Sequence, residues 1–258
     1  MRYSIILGYV IFFALTLTII LVPLRQPAGN LIWQSFHNVK LATLLAPRDA
    51  GLAYAIGEYY FNHGSYDIAK AGTYYALAVS LEPQYKEAHY QYGRVLFING
   101  RFVSALEEIK TVISLDPEFE KAYYMYGLIN GYAGNMKQAE YGFSEFIKRN
   151  DTNWAGYNDL AWIYFKQGDY EKTSVTAKKG LEYSPANPWL NNIYGTALLN
   201  LNRKDEAKVA FELALKQSET LTPENWGRSY PGNDPAIYAT GLKETRSVIR
   251  HNLALLEK

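Results

Sequence analysis

Histidine is the side chain best suited to proton transfer near neutral pH and to metal ligation. The chain holds four, His37, His63, His89 and His251. They are scattered, and none falls in the His-Glu-x-x-His pattern that binds zinc on a helix. Cysteine is absent, which excludes a thiol nucleophile, a disulfide framework, a lipidated cysteine, cysteine-based zinc sites and cysteine-ligated iron–sulfur clusters. No glycine-rich phosphate loop and no nucleophile elbow occurs. The acidic pair Glu107-Glu108 reads as the solvated face of a helix, and Lys178-Lys179 and Arg203-Lys204 are too small for a nucleic-acid patch. The reading is therefore not an enzyme, with no cofactor, no metal and no small-molecule substrate expected.

What remains is recognition chemistry. Tyrosine is abundant, with 23 residues, and Asn158 and Asn192 are separated by 34 positions, the spacing of several other residue series in the chain. Aromatic rings supply contact area at low entropic cost, and an asparagine amide can pair with the backbone of an extended peptide. Charge is balanced, 26 Lys+Arg against 25 Asp+Glu in 258 residues. Nucleic-acid binding needs a basic excess to neutralise phosphates, so no nucleic-acid partner is expected. Apolar residues at 48% are enough to build a packed core.

The elements that would position these residues begin with an apolar run, Tyr3 to Val22, which carries no charge. As a helix it would measure about 30 Å, the thickness of bilayer hydrocarbon. The reading is an N-terminal transmembrane signal-anchor over residues 1–25 and a single-pass membrane localisation, with the remainder placed extracytoplasmically because the short N-tail behaves like a signal-anchor n-region. A cleaved signal peptide is the competing reading, although its apolar region is shorter, about 7–15 residues.

Beyond the run, four series share one period. Pro83, Pro117 and Pro185 are spaced by multiples of 34, with Asp151 at the intervening place. Small residues follow at Gly93, Gly127, Ala161 and Gly195, and turn formers at Gly100, Gly134, Gly168 and Asn202. Ala105, Ala139, Thr173 and Ala207 form a further series. Each unit reads as helix, short turn, helix: Gly or Asn ends the first helix, Pro where present ends the second, and the small residues let the two backbones approach.

This pattern resembles the tetratricopeptide repeat (TPR), W-x2-L-G-x2-Y, then A-x3-F, then P, over about 34 residues. Tyr157-x2-Leu160-Ala161-x2-Tyr164 follows the first part, and Ala139-x3-Phe143 and Ala207-x3-Phe211 follow the second. Asn191-x2-Tyr194-Gly195-x2-Leu198 matches partly; no unit has the leading tryptophan, and proline is missing at Asp151 and Glu219. An earlier unit holds Ala53-x2-Ile56-Gly57-x2-Tyr60, then Gly64 and Ala69, with two residues more than the period. The resemblance implies an all-α, TPR-like α-solenoid, a right-handed superhelix of helical hairpins. The expected organisation is a linker and N-terminal helix over residues 26–49, about five repeats over 50–219, and a loop with a C-terminal capping helix over 220–258. The helix Leu31 to Leu45 is expected as a half-repeat, and Ala236 to Glu257 as a cap presenting Leu242, Ile249, Leu253 and Leu256.

The resemblance also implies an inner groove lined by first helices. In the present register it assigns Tyr54, Glu58 and Phe61, then Tyr90, Arg94 and Phe97, then Tyr124 and Tyr132. The last two units contribute Asn158, Trp162 and Phe165, then Trp189, Asn192 and Thr196. Single aromatics at this spacing serve equally well as packing between repeats, so Asn158 and Asn192 are the sharper candidates. The loop Trp226 to Asp234 is either a connector to the cap or a partner-contact loop. The expected function is a membrane-anchored protein–protein interaction scaffold or assembly factor binding a protein or peptide in an aromatic-rich groove. The alternative is an accessory subunit of a larger membrane complex, its anchor packed against partner helices.

Overall fold

Glycine and asparagine set the hairpin turns through backbone sign. Gly100, Gly134, Gly168 and Asn202 all adopt left-handed backbone, with φ of 70°, 83°, 78° and 60°. Each is followed by the same helix-closing bond, in which the next residue's amide reaches five back: Arg101 to Leu96, Asn135 to Asn130, Asp169 to Tyr164 and Arg203 to Leu198, at 2.8–3.0 Å. These bonds satisfy carbonyls that the ending helix would otherwise leave bare.

The computed structural model describes residues 24–63, 66–229 and 237–257. Among them all regular structure is helical. The chain divides into two units, Met1–Ala88 and His89–Lys258.

In the first unit, α1 (residues 24–36) is followed by α2 (Val39–Leu45), α3 (Ala50–Glu58) and α4 (Ile68–Leu81). The single helix expected from Leu31 to Leu45 is broken in two. His37 takes φ 48°, and the Asn38 side chain caps α2 by accepting from the Leu41 amide. Trp33, Ala42, Ala46, Leu52 and Ile56 form the core here, whereas Leu31, Phe36 and Leu44 are exposed. Helix α3 runs on into a π-helical turn, Tyr59–His63, a local widening that absorbs extra residues. The small residue Gly57 packs on Tyr75, and Ala71 is fully buried while Ala69 is exposed. The alanine of this hairpin is therefore Ala71, not Ala69, because the two additional residues lie between the paired helices.

The second unit is a stack of hairpins: α5 (Lys86–Ile98) with α6 (Phe102–Leu115), α7 (Glu120–Tyr132) with α8 (Met136–Arg149), α9 (Trp154–Lys166) with α10 (Tyr170–Tyr183), and α11 (Pro188–Asn200) with α12 (Lys204–Glu219). In three of the four hairpins the small residue of the first helix meets a large side chain one turn beyond the alanine position of the second: Gly93 on Ile109, Gly127 on Phe143, Gly195 on Phe211; α9 and α10 carry Ala161 and Ala177 at these places. Helices α7 and α8 approach backbone to backbone, since a Cβ added at Gly142 would lie 2.6 Å from the Gly127 backbone nitrogen. Neighbouring hairpins nest in chain order, α6 on α7, α8 on α9, α10 on α11, and α9 also touches α7 and α11. This is a TPR-like solenoid. The segment after α12 forms a short helix, α13 (Pro223–Arg228), where a loop was expected, with Thr222 accepting from the Asn225 amide at its N-cap. Helix α14 (Tyr238–Ala254) packs on α12 and α13. Leu242 and Ile249 are buried, and Leu253 and Leu256 cover Leu198, Ala207 and Phe211. Arg246 donates to the Ser218 and Leu221 carbonyls at 2.7 and 3.1 Å, placing a cation at the C-terminal end of α12, where the helix dipole favours one.

The single-pass membrane localisation expected from sequence is corrected here. No helix among the described residues is long and apolar enough to cross a membrane, and the run Tyr3 to Val22, on which the expectation stood, lies outside the described residues.

Candidate functional site

The first helices of the second unit share a side, and a pocket of about 410 Å³ opens on it. Sites that accept a ligand or an anchoring side chain span about 300–1,000 Å³. Phe97 enters from α5, Leu128 and Tyr132 from α7, Asn158, Asp159 and Trp162 from α9, and Trp189, Asn192 and Ile193 from α11. Trp226 of α13 and Ile237, just before α14, complete the lining.

The position three residues before the small residue explains why the pocket lies where it does. It is Tyr90 in α5 and Tyr124 in α7, but Asn158 in α9 and Asn192 in α11. Tyr90 is 7% exposed and meets Phe119 edge-on at 5.2 Å; burial pushes its hydroxyl up to about 12. Tyr124 is 2% exposed, wedged against Phe143 and Phe146. The half-buried asparagines project less volume, and the pocket opens beside them.

Its walls are aromatic. The Tyr132 ring lies 5.4 Å from Phe97 and 5.8 Å from Trp162, tilted 34° to the latter. Trp189 stacks on Trp154 at 5.1 Å. Trp226 is fixed by an indole N–H donated to Thr245 Oγ1 at 2.9 Å. Its ring also lies where Gly241 has no Cβ, since an added one would fall 2.1 Å from Trp226 Cη2. Asn192 Oδ1 accepts from Asn252 Nδ2 at 3.0 Å, so α14 holds this side of the pocket.

Asp159 is the buried charge of the site, 8% exposed. The Tyr124 hydroxyl donates to its Oδ2. Asn158 Nδ2 donates to its Oδ1 at 2.9 Å. Burial raises its carboxyl from 3.8 to about 6, outweighing these two donors, which act in the opposite direction. At pH 7.5 the group is predominantly charged. Among the described lining residues it carries the one formal charge.

Of the residues expected on the groove, Phe97, Tyr132, Asn158, Trp162, Trp189 and Asn192 come together on the pocket. Tyr90 and Tyr124 are buried in the packing. Arg94 bonds Gln91 at 2.6 Å, Phe165 packs on Tyr170, and Thr196 Oγ1 donates to the Asn192 carbonyl. Tyr54 and Glu58 belong to the first unit: Tyr54 lies between Tyr75 and Tyr85, and Glu58 accepts from the Tyr75 hydroxyl at 2.5 Å. Phe61 is core. Asp159, Leu128, Ile193 and Ile237 were missed. Asp159 had a legible signal, since its register position is Ala55, Gln91, Met125 and Ile193 in the other units, and an acid stands out among them. Two of the histidines serve structure: His37 sits at the α1–α2 break, and buried His89 pairs with Glu108 at 2.6 Å across α5 and α6. Glu108 is thus not the solvated group its sequence suggests. Among the described residues no three potential metal ligands converge.

Two family models described as tetratricopeptide repeat match the chain, one over residues 54–118 and one over 155–187 and 190–220. Together they span half of it. A comparison with curated proteins finds no match. Among solved structures, a crystal structure of MamA protein is similar at 22% identity and TM-score 0.59, covering 66% of this chain and 92% of that one. A tetratricopeptide repeat protein from Parabacteroides merdae ATCC 43184 is similar at 16% identity and TM-score 0.57, covering 89% and 84%. YrrB, described as a TPR protein with an unusual peptide-binding site, is similar at 14% identity and TM-score 0.56, covering 69% and 91%. At these identities the likeness is one of fold. With the 34-residue register, the repeated turn bonds and both family matches in agreement, this chain belongs to the tetratricopeptide-repeat family.

Proposed function

We propose that the second unit is a protein–protein interaction module that takes an extended polypeptide segment along its first helices, with the pocket over α9 and α11 receiving an anchoring side chain. The observation that carries this reading is the pocket itself: aromatic walls from Tyr132, Trp162, Trp189 and Trp226, with Asn158 and Asn192 in the same lining. Rings in a concave site supply anchoring area, and amides fix the register of a bound backbone. The role is binding rather than catalysis, and the partner is a protein or peptide. YrrB, a fold relative, is itself described by its peptide-binding site.

Selection of a displayed random peptide library on the full chain tests this. The reading predicts binders whose affinity is lost in the Asn158→Ala, Trp162→Ala double variant while that variant keeps its helical circular dichroism. Binders indifferent to both changes would place recognition elsewhere.

A further inference from the structure

An aromatic pocket needs no acid to bind an apolar side chain, yet this one has a carboxylate in its lining. Each oxygen of Asp159 already accepts one hydrogen bond, from Asn158 at Oδ1 and from Tyr124 at Oδ2. A carboxylate oxygen can accept two, so each keeps an acceptor site. The rings of Tyr132, Trp162 and Trp226 share the lining with it, and aromatic faces carry a negative quadrupole that attracts cations. Lys166 lies 6.0 Å from the Trp162 ring centroid but is not among the lining residues. An apolar occupant would desolvate Asp159 without compensation, and an acidic one would add repulsion. A cation satisfies both the carboxylate and the rings.

The geometry points to a basic side chain, lysine or arginine, of the bound polypeptide as the group that enters this pocket, held between the aromatic walls and the Asp159 carboxylate. This rests on the peptide-binding reading and narrows it to one chemistry. It also accounts for a charge kept where burial disfavours it: a buried carboxylate weakens a fold unless it is paired, and here the pair is completed by the partner.

The test uses peptides selected on the full chain that depend on Trp162. Each is remade with every arginine replaced in turn by citrulline and every lysine by norleucine, and titrated by fluorescence anisotropy. One basic position should lose about tenfold or more in affinity to the wild-type chain. The same replacement should cost Asp159→Asn little, since that variant has already lost the charge. Trp162-dependent peptides that tolerate neutral replacement at every basic position, or contain none, would overturn the inference and leave the peptide-binding reading standing. Absence of any Trp162-dependent peptide would overturn both. The comparison of arginine with citrulline needs only the wild-type protein, so the result does not depend on how the variant folds.

Discussion

The inner side of the second unit has two halves that share one backbone register and differ in what fills it. At the position three residues before the small residue, α5 and α7 carry Tyr90 and Tyr124, both buried. Helices α9 and α11 carry Asn158 and Asn192, both on the pocket. Three of the four helical hairpins beneath share one contact, with Gly93, Gly127 and Gly195 each receiving a large side chain from the paired helix, and the fourth has Ala161 and Ala177 at the same places. The residues that make the repeat thus leave the inner surface free to vary. A ring at the variable position closes the surface, and an amide opens it.

The comparison is broken most severely by removing what both halves share. Phe143 is fully buried against Gly127 and Tyr124. Phe143→Ala should lower unfolding free energy by about 3–5 kcal/mol, seen as a lower urea midpoint.

Next in size is the charge that only the open half contains. The folded chain holds the Asp159 proton more tightly than the unfolded chain does, about 6 against 3.8. Between those values the unfolded state binds fewer protons, so this group's contribution to stability falls as pH rises and stays low above about 6. The groups facing it from α7 are Tyr124, whose hydroxyl donates to it, and Tyr132, whose hydroxyl burial raises above its usual value. From α11 the pocket receives Trp189, Asn192 and Ile193, which do not titrate. Relative to Asp159→Asn, the wild-type chain should lose about 2 kcal/mol between pH 4 and pH 7.5. Parallel urea titrations of the two chains across that range check it, and parallel stability curves would show the carboxyl is not held as described.

A smaller change probes the link between the halves. Tyr124→Phe keeps the ring against Phe143 but removes the donor to Asp159, and should cost about 1–3 kcal/mol at pH 7.5. In an Asp159→Asn background the same substitution should cost less, which a double-mutant cycle reads directly.

The hairpins were legible in the sequence because each depends on local backbone demands. Gly100, Gly134, Gly168 and Asn202 had to take positive φ, and the alanine and glycine series had to admit a neighbour, so the pattern repeats wherever a hairpin does. Six groove residues were legible for the same reason, since register alone assigns their side. Tyr90 and Tyr124 could not be separated from them by register, because whether a ring lies over a groove or within the packing depends on volumes contributed by Phe119, Phe143 and Phe146. The break at His37 and the π-helical turn at Tyr59–His63 escaped because neither interrupts the apolar periodicity. Trp226 reaches the pocket through Gly241, far away in the chain, a contact that no local pattern announces.

The smallest perturbation of stability carries the most direct test of the central claim, that the asparagine register opens a binding pocket. Asn158→Tyr restores in α9 the residue type of α5 and α7, and should change unfolding free energy by only about 1 kcal/mol. Its affinity for peptides selected on the wild-type chain should fall by about tenfold or more, because the pocket is filled. Unchanged affinity in a folded Asn158→Tyr chain would contradict the account.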